Sequence, residues 1–256
     1  MRAIVPAILE KDFQEIKNKL AFLHGRAKTV QIDFCDGVFV PNQTWPFASG
    51  GMEDADFKKI VNEEEGMPYW QDFDFEFDMM VTDAVEKFDI YMKLGPKRII
   101  FHLQAQENLE EFEEFLEGID PYVRDNTEIG IAILPNTDLE AVSSLLHKVD
   151  FIQCMGIDQV GFQGQSFNPV VLEKIKFLKT TMPGMEVAVD GSVNMETAGP
   201  LIKAGADRLG IGSALWKAPD PIGALEKFKC SWRRKVGILR DLWAWRTYSL
   251  FFISIF

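Results

Sequence analysis

The residues of this chain that could do chemistry are carboxylates, and two of them stand where buried strands run out. Residues 30–34 read VQIDF and residues 186–190 read EVAVD, apolar runs that deliver Asp33 and Asp190 at their carboxyl ends. Two acids set on opposite sides of a small molecule can epimerise it. One removes a proton from carbon on one face, and the other returns a proton on the opposite face. Ordinary helix N-caps would use the same residue type at the same place, so the elements that carry the two acids have to be considered next.

Runs rich in β-branched residues at 3–9, 29–34, 73–81, 98–103, 128–134, 150–155, 186–190 and 208–213 alternate with stretches of helical period. The helical stretches include DFQEIKNKLAFLH (12–24), TDAVEKFDIYMKLG (82–95), NLEEFEEFLEGI (108–119), DLEAVSSLLHKV (138–149), NPVVLEKIKFLKTT (168–181) and METAGPLIKAG (195–205). Strands separated by helices throughout predict a closed (β/α)8 TIM barrel. The rival, a doubly wound sheet, lacks the Gly-x-Gly-x-x-Gly fingerprint after its first strand. In a barrel, Asp33 and Asp190 belong to strands two and seven and face each other across the catalytic mouth. Residues 43–72 interrupt the rhythm, as a lid over the mouth or as a surface excursion with a short helix.

Three consecutive strand ends also carry glycine: Gly161 and Gly164 after strand six, Gly191 and Ser192 after strand seven, Gly212 and Ser213 after strand eight. Glycines serve tight turns as well. The loops after strands seven and eight, however, are where this fold commonly holds a phosphate.

With these pieces in place the chain resembles the ribulose-phosphate 3-epimerase family over about residues 3–228. The matching segments are PAILEKDF, IDFCDGVFVPN, FHLQA, ILPNTDLE, GFQGQSF, VDGSV and AGADRLGIGSAL. The resemblance implies interconversion of D-ribulose 5-phosphate and D-xylulose 5-phosphate, with Asp33 and Asp190 as the acid–base pair. It implies a phosphorylated ketose held at Gly161, Gly164, Gly191, Ser192, Gly212 and Ser213. It also implies sulfur groups lining the enediolate, Met80 and Met155, with Cys35 where a methionine is usual. The family binds a divalent metal through two histidines and the two aspartates, but here Gln31 and Asp78 stand at the histidine positions. Gln31, Asp33, Asp78 and Asp190 could form an all-oxygen metal site, suiting Mg²⁺ or Mn²⁺ better than Zn²⁺. Alternatively there is no metal, and crowding of carboxylates raises the pKa of at least one. Glu10, where the family has a serine, would add negative charge beside the substrate, and His102 reads as a satisfied core or rim residue. A barrel that binds a phosphosugar without turning it over, or an epimerase of a related ketose phosphate, is the alternative function.

Composition bounds the remaining classes. A net charge of −12 over 256 residues offers no nucleic-acid footprint. Three cysteines without CxxC spacing suit a reduced, cytoplasmic setting, no leader pattern is read at the N-terminus, and a homo-oligomer is expected. Residues 1–228 are read as the barrel and 229–256 as a C-terminal aromatic and basic extension of unknown role. Its stretch SWRRKVGILRDLWAWRTYSLFFISIF carries Trp232, Trp243 and Trp245 with five basic residues. It could lie in a membrane interface, pack on the barrel or between subunits, or reflect a reading-frame accident.

Overall fold

The structure, a computed structural model, describes residues 3–140 and 142–232. Eight parallel strands close on themselves: β1 (Ala3–Ile8), β2 (Thr29–Cys35), β3 (Asp74–Met80), β4 (Arg98–His102), β5 (Glu128–Ile133), β6 (Phe151–Met155), β7 (Glu186–Asp190) and β8 (Arg208–Ile211), with β8 pairing back onto β1. The helices packed around them are α1 (Phe13–Leu23), α2 (Ala55–Val61), α3 (Phe88–Met92), α4 (Leu109–Gly118), α5 (Pro121–Asn126), α6 (Ser143–Leu146), α7 (Val170–Thr181), α8 (Ala198–Ala204) and α9 (Ser213–Trp216), and residues 221–232 are helical as well. The expected (β/α)8 barrel is therefore the observed fold.

Strand period two divides the buried residues into two layers. Ile32, Phe34, Phe75, Phe77, Ile99, Phe101, Ile129 and Ile131 face outward and pack against the helices. Residues of the alternate set point into the barrel, where Cys35, Met80, Ile100, Ala132, Phe151 and Met155 form a second apolar cluster. Gly130 leaves room for the Phe151 ring, since a Cβ on this glycine would lie 2.2 Å from Phe151 Cζ. Below that ring the barrel floor is ionic. Arg98 stacks on Phe151 at 3.6 Å and pairs with Glu76 at 2.7 Å and Glu186 at 2.8 Å, while Arg208 meets Glu76 at 2.6 Å.

Helix starts follow their caps. Asp12 accepts from the backbone N–H groups of Gln14 and Glu15, and α1 buries Phe13, Ile16, Leu20 and Leu23 along one stripe. Asn108 caps α4 in the same way. Three helical stretches are shorter than the periodicity predicts. In 82–95 only Phe88–Met92 is α-helical, and the N–H and hydroxyl of Thr82 both donate to Asp36. In 195–205 the helix begins at Ala198, after the Asn194 side chain has accepted from Glu196 N and Thr197 N. In 138–149 only Ser143–Leu146 is helical.

Residues 43–72 form two single turns of 3₁₀ helix and α2. Trp45, fully buried, stacks on Phe13 at 4.5 Å and donates its indole N–H to Asp54. This segment is thus a packed surface excursion with a short helix. At the other end, the helical stretch 221–232 runs through the expected boundary at 228, with Phe228 and Trp232 buried in the core. The extension and its membrane contact otherwise fall in 233–256, outside the described residues.

Candidate active site

Strand register brings the acids to the same end of the barrel. Asp33 pairs with Asp78 across β2 and β3, and Met155 pairs with Asp190 across β6 and β7. A cleft opens at this end of the barrel. Asp33, Met80, Met155 and Asp190 line it together with the glycine loops Gly161–Gly164, Gly191–Val193 and Gly212–Ser213. All six residues expected at a phosphate are on this lining. Cys35 is not on it: this side chain is fully buried in the interior cluster, where burial, then Asp33, pushes the thiol pKa far up.

Directly beneath Asp33 and Asp190 lies a polar layer supplied by β2, β3, β4 and β6. Gln31 Nε2 donates to Asp33 Oδ1 at 2.8 Å and faces Asp78 Oδ2 and Asp190 Oδ2, each at 3.4 Å. Gln153 Nε2 donates to Asp78 Oδ2 at 3.1 Å, and His102 Nε2 lies 2.7 Å from Asp78 Oδ1. Gln31, Asp78, His102 and Gln153 are all essentially inaccessible to solvent. Three acids thus meet in a low-dielectric space, faced by side-chain amides, the His102 ring and, at Asp190, the Gly191 backbone N–H. Burial, reinforced by Asp190 and then Asp78, raises the Asp33 pKa well above the ordinary carboxylate value. Burial, then Asp78, pushes Asp190 up to about 6, against the opposing hydrogen bonds from the Gly191 backbone and Gln31. A carboxyl and a carboxylate can therefore share this mouth near neutral pH, as a proton relay through carbon requires.

The loops above the acids have the geometry of a close-approach cradle. Gly161, Gly164 and Gly191 have φ of 88°, 81° and 88°, and Ser192 follows at 53°, all in the left-handed region. At Gly191 a Cβ would also strike Ile157 Cγ1 at 2.7 Å. Asn42 holds the first loop through Gly161 O at 2.9 Å, and Ser192 Oγ donates to Gln165 O.

The profile of the ribulose-phosphate 3 epimerase family matches residues 3–216. The chain belongs to that family. A ribulose-phosphate 3-epimerase of Chlamydia muridarum is 32% identical over 207 residues, covering 78% of this chain and 81% of that protein. The one from Schizosaccharomyces pombe is 27% identical over 219 residues, covering 85% and 88%. Among solved structures, KGPDC from Streptococcus mutans superposes with a TM-score of 0.64 at 13% identity, over 90% of this chain and 97% of that one. A 3-hexulose-6-phosphate synthase gives 0.60 at 17% identity, over 90% and 99%. Likeness at these identities concerns the barrel itself.

Several residues take roles other than those the sequence suggests. Glu10 pairs with Lys19, which also sits 4.4 Å over the Trp216 ring, so its charge is balanced away from the cleft. Asp36, the second acid after β2, accepts from Val38 N, Phe39 N and Thr82 and ties two loops together. His102 is a core residue as expected, but its partner is Asp78. Gln153 escaped the sequence reading, although the alternation Phe151–Gln153–Met155 on β6 places it inward. The four residues of the expected oxygen-donor set do come together, but Gln31 presents its amide nitrogen to the other three. Among the described residues no group of three or more His, Cys, Asp or Glu side chains is arranged to hold a metal ion. Nor is any helix among them long and apolar enough to cross a membrane.

Proposed function

We propose that this chain interconverts D-ribulose 5-phosphate and D-xylulose 5-phosphate, with Asp33 and Asp190 as the acid and base. The observation that carries the reading is that acids from β2 and β7, three strands apart around the closed barrel, line one cleft and are bridged beneath it by a single amide. The ionised aspartate takes the proton from carbon 3 of the ketose. The C–H electron pair then forms the C2–C3 double bond and leaves negative charge on the carbonyl oxygen. The protonated aspartate delivers its proton to carbon 3 from the opposite face, and the C2 carbonyl re-forms. Each turnover leaves the two acids with exchanged protonation states, ready for the reverse reaction or for re-equilibration with water.

The remaining lining supports a phosphosugar. Positive-φ backbone at Gly191 and Ser192 and the loops at Gly161–Gly164 and Gly212–Ser213 offer concave main chain suited to a phosphate. Met80 and Met155 give the reacting carbons a polarisable, water-poor wall. A cytoplasmic setting is part of the same reading, and buried Cys35 and Cys154 suit it.

The test is incubation of purified chain with D-ribulose 5-phosphate, followed by measurement of D-xylulose 5-phosphate. Formation of the epimer supports the assignment. Binding of the sugar phosphate without any epimer would instead make this a non-catalytic phosphosugar-binding barrel.

A further inference from the structure

The centre of the polar layer is filled by the protein itself. A divalent cation among carboxylates needs several oxygens at roughly 2.0–2.6 Å with free lone pairs. Here Gln31 Nε2 occupies that position, at hydrogen-bonding distances from oxygens of Asp33, Asp78 and Asp190. The orientation of the amide follows from its surroundings: turned over, its carbonyl oxygen would face three acids and its hydrogens would lose their acceptors.

Asp78 is also committed. Its Oδ1 is taken by His102, and its Oδ2 by Gln153 as well as Gln31. A cation would have to displace three donors to reach both oxygens of this buried side chain. The guanidinium groups of Arg98 and Arg208 provide no spare charge either, being paired with Glu76 and Glu186 on the barrel floor. Side-chain amides, the His102 ring and the Gly191 backbone N–H are therefore what faces these acids.

We propose that the Gln31 amide stands in place of a divalent cation at the barrel mouth, so that the chain holds no stoichiometric metal there. Gln31 is then the positioning residue that fixes Asp33 and Asp190 for proton transfer. The positioning role rests on the acid–base reading above, whereas the metal-free centre does not. Turnover is accordingly insensitive to chelators.

The test begins without substrate. The full chain is purified, its metal content is measured by elemental mass spectrometry, and it is titrated calorimetrically with Mn²⁺, Zn²⁺ and Mg²⁺. The same is done with Gln31→Glu, which keeps the shape but replaces the donor with a fourth carboxylate. The expected result is no stoichiometric ion in the natural chain and uptake of one ion per chain by Q31E. One ion per natural chain, lost on Asp78→Asn, would overturn the proposal. Failure of Q31E to gain an ion would overturn the claim that the amide occupies the cation position. Gln31→Leu then tests positioning: kcat should fall about tenfold or more with KM little changed, and an unchanged kcat would refute that role. A chain inactive on pentose phosphates yet metal-free would sink the functional assignment and leave the metal-free centre standing.

Discussion

Replacing Gln31 with leucine isolates what the buried amide contributes to the fold. The change keeps most of the volume and removes the donor that faces three carboxylates. A hydrogen bond to a charged group contributes about 1.5–3 kcal/mol net, and Gln31 makes one of good length, 2.8 Å, with two longer contacts at 3.4 Å. Counting the short bond in full and the long ones as fractions gives a loss of about 3 kcal/mol at about pH 8. For a chain of this size that corresponds to roughly 6–12 °C in Tm. The pH dependence sharpens the expectation. Asp33 and Asp190 both lie above the ordinary carboxylate value, from burial first and neighbouring carboxylates second. The folded chain therefore binds more protons than the unfolded chain in mild acid. The stability these groups confer is complete below the unfolded value of about 3.9, and it is lost as pH rises through their folded values, about 6 for Asp190. Gln31 lowers both folded values, so leucine raises them further and the penalty shrinks on acidification. Urea unfolding of Q31L and the parent chain at pH 8, 7, 6 and 5 measures this difference, in which other titrating groups cancel. Equal penalties at pH 5 and pH 8, or none at pH 8, would refute the reasoning.

Other consequences are as direct. The rate should be bell-shaped in pH, because turnover needs one carboxylate and one carboxyl, and both limbs belong to the Asp33–Asp190 pair, whose values are raised by burial first, to about 6 for Asp190. A kcat flat from about pH 5 to 9 would contradict the pairing. Gly210→Ala places a methyl 2.6 Å from Asp190 Oδ1, so the acid must swing aside. A displacement of about 1 Å costs on the order of 100-fold, read in steady-state kcat. Arg98→Met removes the cation that pairs with Glu76, Glu128 and Glu186 on the floor. It should destabilise the chain by about 3–5 kcal/mol in urea unfolding and leave kcat of the folded fraction unchanged, since the floor lies at the opposite end from the cleft.

The strands were legible in the sequence because strands buried on both faces of a parallel barrel form short apolar runs rich in β-branched residues. The run VQIDFC already separates Gln31, Asp33 and Cys35 from Val30, Ile32 and Phe34. The two acids and the glycine loops followed from their places at strand ends. Partnerships were less accessible, since they depend on register between strands far apart in sequence. Nothing local to Glu10 announces Lys19, and nothing local to Asp78 announces His102 or Gln153. Helix lengths also escaped the periodicity. In 82–95 and 195–205 the first residues form turns where the apolar pattern would allow helix, with Thr82 donating to Asp36 and Glu196 and Thr197 donating to Asn194. The direction of the Gln31 amide, on which the metal question turns, is set by three acids from three different strands.

The most direct test of the two-acid account is turnover of D-ribulose 5-phosphate in deuterated water by the parent chain and by Asp33→Asn and Asp190→Asn. The account predicts that the parent forms D-xylulose 5-phosphate carrying deuterium at carbon 3, and that each folded variant has lost interconversion. Interconversion at near-parent rate by either variant would contradict it.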